Sequence, residues 1–317
     1  MKFVIFSPYQ TGGGPIVLHN LCKNLTDLGY DAKIFNCDTI WWNDRKSLKF
    51  WIKWFIFVLK DSAQFVLSKG FHSKKLSPGY VDVPVRGCKR KILPFVDDQT
   101  IVVYPELICG NFLNAKHVVR WFLYHNRYKD NPDAYGKDDL FICYREIFND
   151  NELNPQKLRV ATPYFDLDTY KQTNFGERKG TCYIVRKGAN RPDLPKTFDG
   201  IVVDYLSEKE KVKVFNQCEY CVSYDTQTAY SKIAALCGCI SVIVPEEGKA
   251  KTDYRGAGDS IIGRAWGFST DEIEYAKKTR HLIREQYHAT NARSMEETKE
   301  FVRICEDCFA QRTAEME

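Results

Sequence analysis

The chain has 317 residues, of which 44% are hydrophobic and 27% are charged, and its formal net charge is +5. This length allows two domains of about 150 residues each, and the composition excludes a disordered or fibrous protein. No apolar run approaches the ~20 residues that a membrane-spanning helix needs, so we expect none.

The twelve cysteines favour thiols in a reducing cytoplasm over a disulfide framework, because the chain is large and opens with a strand-like segment instead of a secretory signal. Two pairs, Cys218/Cys221 and Cys305/Cys308, have a spacing that zinc sites also use. The first pair opens a predicted strand, where positions i and i+3 point to opposite faces. The second lies in a helical pattern. We therefore favour buried or surface thiols over zinc and predict no metal site.

The first elements predict the start of a doubly wound α/β domain. An apolar strand over residues 1–8 is followed by Gly12, Gly13 and Gly14 and then by a helical pattern over residues 15–28. In such folds this turn lies at the ligand-binding edge of the sheet, and glycines let a backbone approach an oxygen-rich ligand. A tight turn with no ligand is the alternative. The GxGxxG spacing of a dinucleotide site is absent.

Residues 41–94 differ in character from the rest of the chain. Between residues 45 and 94 there are twelve Lys or Arg and two acids, a net charge of +10, and four of the six tryptophans lie between 41 and 60. Tryptophans interleaved with lysines are typical of a helix that lies in an anionic membrane surface. A helix packed on its own core and a nucleic-acid surface are the alternatives. We favour the membrane and expect no nucleic acid.

Strands are predicted over residues 100–104, 117–123, 139–144 and 158–162. Polar residues just past successive strands line one edge of a parallel sheet, which makes Glu106, His125 and Arg127 candidates for that edge. Glu106 and His125 have side chains suited to acid–base catalysis. Ordinary loop residues are the alternative for both.

The second half begins after a polar segment at residues 171–179. A strand over residues 182–185 leads into a basic loop with Arg186, Lys187 and Arg191, whose cations could hold a diphosphate. A solvated basic loop is the alternative. A helix is predicted over residues 207–217, with Ser207 as its cap and Glu210 completing a capping box.

Residues 219–245 form a predicted βαβ unit with a polar turn. A strand over residues 220–224 is followed by Asp225, by a helix to residue 236 and by a strand over residues 240–244. Free backbone N–H groups at such a helix start bind anions, and the candidate hydroxyls are those of Thr226, Thr228 and Ser231. An ordinary βαβ unit with a polar cap is the alternative.

This stretch resembles the nucleotide-sugar-binding segment of GT-B glycosyltransferases, in particular family 4-like bacterial enzymes of capsule and O-antigen assembly. Their pattern is Glu-x7-Glu before small residues and a glycine. Counting back from Gly238, Asp225 takes the first acidic position, while Ile233 replaces the second. Residues 104–124 also resemble the corresponding region of such enzymes.

The resemblance implies roles for several residues. The first acid contacts the donor sugar, and the second, absent here, contacts the ribose. An Arg and a Lys five residues apart neutralise the diphosphate, and here Arg186 and Arg191 have that spacing with Lys187 between them. The first glycine loop lies near the donor phosphates or the acceptor.

The sequence thus predicts an α/β protein with two Rossmann-like domains facing across a cleft, at residues 1–168 and 175–317. The second includes helices over residues 270–289 and 293–309, of which residues 295–309 could return to the first domain. The resemblance implies a cytoplasmic glycosyltransferase without metal or cofactor, peripheral on the inner face of the membrane. It would move a sugar from a nucleotide diphosphate sugar to a glycan or lipid-linked glycan in bacterial surface polysaccharide assembly. A catalytically silent sugar-nucleotide or glycan-binding module and a dinucleotide-dependent oxidoreductase are the alternatives, and retention or inversion stays open.

Overall fold

The computed structural model describes residues 1–8, 13–37, 88–91, 95–226, 228–248 and 261–316, together with isolated positions between 48 and 63. The chain divides into two compact units, the first formed by Met1–Tyr164 with Asn291–Glu317 and the second by Phe165–Thr290. Each contains a parallel β-sheet. The predicted α/β fold with two Rossmann-like domains is confirmed. The sequence-based division assigned residues 291–317 to the second domain, whereas the structure groups them with the first.

The sheet of the first unit has the strand order of the Rossmann fold. Its strands are β1 (Lys2–Pro8), β2 (Asp31–Cys37), β3 (Lys89–Arg90), β4 (Thr100–Pro105), β5 (His117–Phe122) and β6 (Leu140–Cys143), and helix α1 (Gly13–Asp27) connects β1 to β2. They pair in the order β3-β2-β1-β4-β5-β6. After β3 the chain returns to the other side of β1, so the winding reverses between β1 and β4. Ligands of such folds bind outside the carboxyl ends of the strands at this switch point.

Both faces of this sheet are buried, as its near-continuous apolar strands require. Phe3 and Ile5 pack with α1 on one face, whereas Val4 and Phe6 pack on the other with Tyr104. Alternation along β1 therefore supplies both halves of the core.

Polar side chains join the C-terminal helix to the first unit. In α1, Asn20 Nδ2 donates to Ser294 Oγ at 2.8 Å, and Asn24 Nδ2 donates to Thr298 Oγ1 at 3.0 Å. Glu297 accepts from the Ala161 N–H at 3.0 Å. Because buried amides and hydroxyls need partners, this amide–hydroxyl ladder defines the register of the helix on α1.

The second unit has a five-stranded parallel sheet. Its strands are β7 (Thr181–Ile184), β8 (Ile201–Val202), β9 (Tyr220–Ser223), β10 (Ile240–Ile243) and β11 (Arg264–Trp266), and its helices are α2 (Glu208–Gln217), α3 (Tyr230–Leu236) and α4 (Thr270–Thr279). The strand order is β11-β10-β9-β7-β8, so the winding reverses between β7 and β9. The predicted capping box is confirmed, since Ser207 accepts from the Glu210 N–H and Glu210 accepts from the Ser207 N–H.

Several predicted elements differ from the observed ones. Residues 158–162 form only an isolated bridge, between Cys143 and Arg159, instead of a strand. The helix expected from the polar turn onward begins at Tyr230. The two C-terminal helices are instead α4 and one long helix, α5 (Leu282–Met316), whose first residues belong to the second unit and whose remainder belongs to the first.

The cysteine pair at 218 and 221 lies differently from the sequence-based expectation. Both thiols enter one apolar cluster with Cys182 and Cys239. The alternation argument fails because Cys218 is the C-cap of α2 and β9 begins only at Tyr220. Among the residues that the structure describes, no group of three or more His, Cys, Asp or Glu side chains is arranged to hold a metal ion.

In the same described ranges no helix is both long and apolar enough to cross a bilayer.

Candidate functional site

The switch point of the second unit brings together a cation and an acid. Arg186 follows β7 and Asp225 follows β9, and Arg186 Nε lies 4.0 Å from Asp225 Oδ2. The Asp225 side chain is only 4% exposed, whereas that of Arg186 is 45% exposed. The pair is adjacent because β7 and β9 are neighbouring parallel strands whose carboxyl ends coincide. The structure therefore places two sequence-predicted residues where α/β folds bind ligands.

Arg186 owes its position to residues that the sequence analysis did not single out. Its φ of 37° is in the left-handed region, which is unfavourable for a residue with a side chain. Asp204, just past β8, stabilises this conformation by accepting from the N–H groups of Val185 at 3.1 Å and Arg186 at 2.7 Å. Gly188 allows the turn to press on β9, since a Cβ there would lie 2.4 Å from the Tyr224 carbonyl oxygen.

A polar network from α2 and α3 borders the Arg186 side chain. The Arg186 guanidinium lies 5.1 Å from the centre of the Tyr230 ring, and Lys211 Nζ lies 4.7 Å from it. The Tyr230 hydroxyl donates to Glu208 Oε1 at 2.6 Å, and Lys211 donates to the same oxygen at 2.9 Å. Burial raises the pKa of Glu208, but hydrogen bonds from Tyr170, Tyr230 and Lys211 outweigh it and lower the pKa. Glu208 therefore stays ionised and holds the ring beneath the guanidinium.

The other two cations of the basic loop lie in different environments. Lys187 is exposed. Arg191 has a side chain that is only 7% exposed, and it donates to the carbonyl oxygens of Val244 at 2.8 Å and Pro245 at 2.7 Å and forms an ion pair with Asp193. Arg191 thus connects the loop after β7 to the segment after β10, whereas the Arg186 and Lys187 side chains remain exposed to solvent.

The hydroxyls of the polar turn are mostly engaged inside the protein. Thr226 is half-buried. Thr228 Oγ1 accepts from the Tyr230 N–H at 3.2 Å, and the Ser231 hydroxyl donates to the Thr228 carbonyl at 3.0 Å. Arg264 donates to Ser231 Oγ at 3.2 Å, and both side chains are buried. Thr228 and Ser231 consequently shape the turn.

Ile233, at the second acidic position of the Glu-x7-Glu pattern, packs against the apolar core of the second unit. Its side chain offers no hydrogen-bonding group, so this position supplies no acceptor for a ribose hydroxyl.

The switch point of the first unit contains a buried carboxylate. Glu106 directly follows β4, is 6% exposed, and accepts from the Leu123 N–H at 3.0 Å. Burial raises its pKa above the ordinary 4.5, and hydrogen bonds from backbone N–H groups oppose the rise. A carboxyl group with a raised pKa at a strand edge has the properties of a general acid or base.

His125 lies two residues beyond Leu123 in a group of aromatic rings. Its ring centre is 4.8 Å from that of Tyr124 and 5.2 Å from that of Phe148, and the His125 side chain is exposed. The Glu106 carboxylate and the His125 ring therefore flank the same strand end. For Glu106 and His125 alike, a role in acid–base chemistry stays a prediction.

The glycine loop is only partly described. Gly12 lies outside the described residues. Gly13 and Gly14 form the first turn of α1 instead of a loop before it. A side chain at Gly13 would meet no atom within 4 Å, and one at Gly14 would meet Leu123 at an ordinary 3.6 Å. Packing within the described residues therefore does not require glycine at either position.

Much of the basic aromatic segment, residues 41–94, lies outside the described residues. The described positions between 48 and 60 are helical and exposed. Six of them are large hydrophobic residues, from 47% to 75% exposed, with spacings of three and four along the chain: Leu48, Trp51, Ile52, Phe55, Ile56 and Leu59. Residues with these spacings share one face of a helix.

Comparison with known proteins gives little further guidance. No family model and no curated protein matches the chain. Among solved structures it is similar to the crystal structure of the glycosyltransferase VinC in complex with DTDP, with 12% identity, coverage of 97% of this chain and 100% of that chain, and a TM-score of 0.30. At this identity and TM-score the likeness adds no argument for function.

Proposed function

We propose that this protein is a glycosyltransferase that transfers a sugar, of the hexose type, from a nucleotide diphosphate sugar. The observation that supports this most directly is the pairing of Arg186 and Asp225 at the switch point between β7 and β9. Such a donor has a diphosphate and a sugar with hydroxyl groups. The Arg186 cation can bind the diphosphate, and the Asp225 carboxylate can accept hydrogen bonds from the hydroxyls.

In the proposed mechanism each residue has a distinct task. Negative charge develops on the leaving nucleoside diphosphate, and Arg186 with Lys187 stabilises it without requiring a metal ion. Asp225 accepts hydrogen bonds from sugar hydroxyls and so orients the anomeric carbon. Glu106 and His125, at the strand edge of the first unit, are the candidates for acid–base chemistry on the acceptor hydroxyl.

The acceptor belongs to the same proposal. By the resemblance in residues 219–245, it is a glycan or lipid-linked glycan in bacterial surface polysaccharide assembly, and the enzyme works on the cytoplasmic face of the membrane. The exposed apolar stripe from Leu48 to Leu59 supports attachment, since Lys49, Lys53 and Lys60 are exposed beside it. Such a helix buries its apolar face at the headgroup level while its cations meet anionic lipid.

A donor screen tests the reaction. UDP-, GDP-, CMP- and dTDP-sugars are compared by thermal shift, where a ligand at 100 times its Kd adds about 2.7 kcal/mol. The best donor is then assayed for turnover with wild type and Asp225→Asn. We expect kcat to fall about 10²-fold, equivalent to roughly 2.7 kcal/mol, while the free nucleoside diphosphate still binds. Asn keeps the size of the side chain and one acceptor oxygen but removes the charge, so wild-type turnover in this variant would reject the proposed role.

Matched variants identify the phosphate contacts. Arg186→Ala with Lys187→Ala should weaken nucleoside diphosphate binding, measured on variants that circular dichroism shows to be folded, because Arg186 also pairs with the buried Asp225. Lys209→Ala with Lys213→Ala removes two exposed cations of α2 as a control. If both double variants bind nucleoside diphosphate with equal affinity, the diphosphate binds elsewhere on the protein.

Vesicle sedimentation tests the membrane contact. The protein should sediment with anionic vesicles and detach as salt rises, because salt screens the attraction. Replacing Trp51 and Phe55 by Ser should release it, whereas replacing the exposed Phe175 of the second unit should not. Two results would contradict the proposal: binding to neutral vesicles at all salt concentrations, or no binding to either anionic or neutral vesicles.

A catalytically silent sugar-nucleotide-binding module is the second candidate, and the packing of Ile233 into the core favours it. The donor screen separates the two. Binding of a donor without transfer to any acceptor and without its hydrolysis would identify the module.

A further inference from the structure

The second unit has a cavity away from the Arg186–Asp225 pair. It has a volume of about 330 Å³ and lies over β7 and β9 on the face of the sheet opposite α2 and α3. Parallel sheets are usually covered by helices on both faces. Here the connection from β7 to β8, all of it described, contains one short 3-10 turn (Arg186–Asn190) and no α-helix, which leaves part of this face open.

Aromatic rings form much of the wall of this cavity, which we call the aromatic cavity. Five of its lining residues are aromatic: Tyr183, Phe198, Tyr220, Tyr224 and Phe268. Ring packing fixes three of them, since the centres of Tyr183 and Phe198 are 4.6 Å apart and those of Phe198 and Tyr224 are 6.2 Å apart. Phe268 is 58% exposed at the opening. The rings present apolar surfaces to whatever enters.

The polar groups of the cavity are neutral. Thr181 and Thr197 contribute hydroxyls, and Tyr183 donates its hydroxyl to Asp199. None of the residues described as lining the cavity is charged. A charged ligand would lose its hydration without gaining a partner ion, which is costly. The surface instead suits a neutral molecule with apolar faces and hydroxyl groups at its edge.

We propose that the aromatic cavity binds one pyranose ring of a glycan, at a site separate from the Arg186–Asp225 pair. A pyranose has C–H faces that stack on aromatic rings and hydroxyls that pair with threonine and tyrosine hydroxyls. The volume is at the lower end of ligand pockets, about 300 Å³, which suits a single ring. This site does not depend on the proposed transfer reaction, because a silent glycan-binding module would use it equally.

Ligand-observed NMR on the full-length protein tests this site. The probes are the methyl glycosides of glucose, galactose and N-acetylglucosamine, with indole as an aromatic control and decanoate as an apolar control. At least one glycoside should receive saturation on its ring C–H protons at millimolar concentration, and the signal should persist when UDP is added in excess. Displacement by UDP would place the sugar at the carboxyl edge and overturn the proposal.

Two variants and a matched control locate the binding. Phe268→Ser removes one ring and should raise the Kd by roughly three- to tenfold, if a sugar on this ring gains about as much as a pair of aromatic side chains does. Thr197→Trp is at an exposed position and should block entry while leaving the fold intact. Phe175→Ser removes a phenylalanine of the same unit that is more exposed than Phe268 and does not line the cavity, and this variant should bind like wild type.

Three further results would overturn the proposal. The first is binding of indole or decanoate with no binding of any glycoside. The second is the absence of every signal. The third is equal glycoside affinity in Thr197→Trp and wild type when circular dichroism shows that both are folded.

Discussion

Removal of Arg120 should destabilise the first unit more than any exposed substitution. Arg120 lies in the middle of β5 with a fully buried side chain, and its Nε donates to Asp139 Oδ2 at 2.5 Å. Its remaining nitrogens donate to the carbonyl oxygens of Ile108 and Gly110, each at 3.1 Å. In Arg120→Met the side chain becomes apolar at a similar length. The nearly buried Asp139 carboxylate then loses its cation and keeps the Gly136 N–H as a donor, and the two carbonyls lose the donor that Arg120 supplied.

The cost follows from the unpaired charge. Breaking a buried ion pair by removing one partner costs about 3 to 5 kcal/mol. For a unit of about 150 to 250 residues, this corresponds to a fall in melting temperature of roughly 6 to 20 °C. Replacing Asp139 by Leu in the same chain should recover most of the loss, because the buried charge is then gone and an apolar pair often replaces an ion pair at little cost.

Urea unfolding followed by circular dichroism measures this effect. The data are fitted with two transitions, because a chain of two units need not unfold in one step. Arg303→Met is the matched control, since Arg303 pairs with Glu300 on an exposed surface where the side chains are 63% and 44% exposed. That change should cost about 0 to 1 kcal/mol. The reasoning is refuted if Arg120→Met loses no more stability than Arg303→Met.

Two further changes test the two switch points. Burial raises the pKa of Glu106 above 4.5, so the folded state favours its neutral form, and stability should fall as pH rises through that raised value. Glu106→Gln keeps an acceptor for the Leu123 N–H and should lack this fall; parallel urea midpoints in wild type and variant between pH 4 and pH 8 would contradict it. Gly188→Ala would place a Cβ 2.4 Å from the Tyr224 carbonyl oxygen, so it should displace the turn, cost roughly 1 to 3 kcal/mol and weaken nucleoside diphosphate binding. Gly176→Ala, whose Cβ would meet only Asn174 at 3.4 Å, is the control and should leave both quantities near wild type.

Local patterns allowed most of the fold to be predicted. Apolar runs identified the long strands of both sheets, and Ser207 with Glu210 identified the start of α2, because these signals depend on residues close in sequence. Short strands were missed. Lys89–Arg90 has two residues, both charged, and Arg264–Trp266 has three, of which one is charged, so only pairing with a neighbouring strand makes them β-structure.

The candidate site was predictable where it depends on strand ends and unpredictable where it depends on distant contacts. Arg186 and Asp225 follow apolar strands, so the doubly wound pattern placed both at one edge. Asp204 supports the loop across 18 residues of sequence, and no local pattern marks that contact. Arg191 has the same charge as Arg186, yet it is buried because the carbonyls of residues 244 and 245 converge on it.

The amide–hydroxyl ladder between α1 and α5 has a consequence for biosynthesis. The first unit needs residues 291–317, which leave the ribosome after the whole of the second unit, and Phe301 then packs on Phe3 with ring centres 5.9 Å apart. The second unit, Phe165–Thr290, is continuous in sequence and is synthesised completely before those residues. Domains usually fold in order from the N-terminus during translation. Here the second unit can be complete while one face of the sheet in the first unit still lacks the packing of residues 291–317.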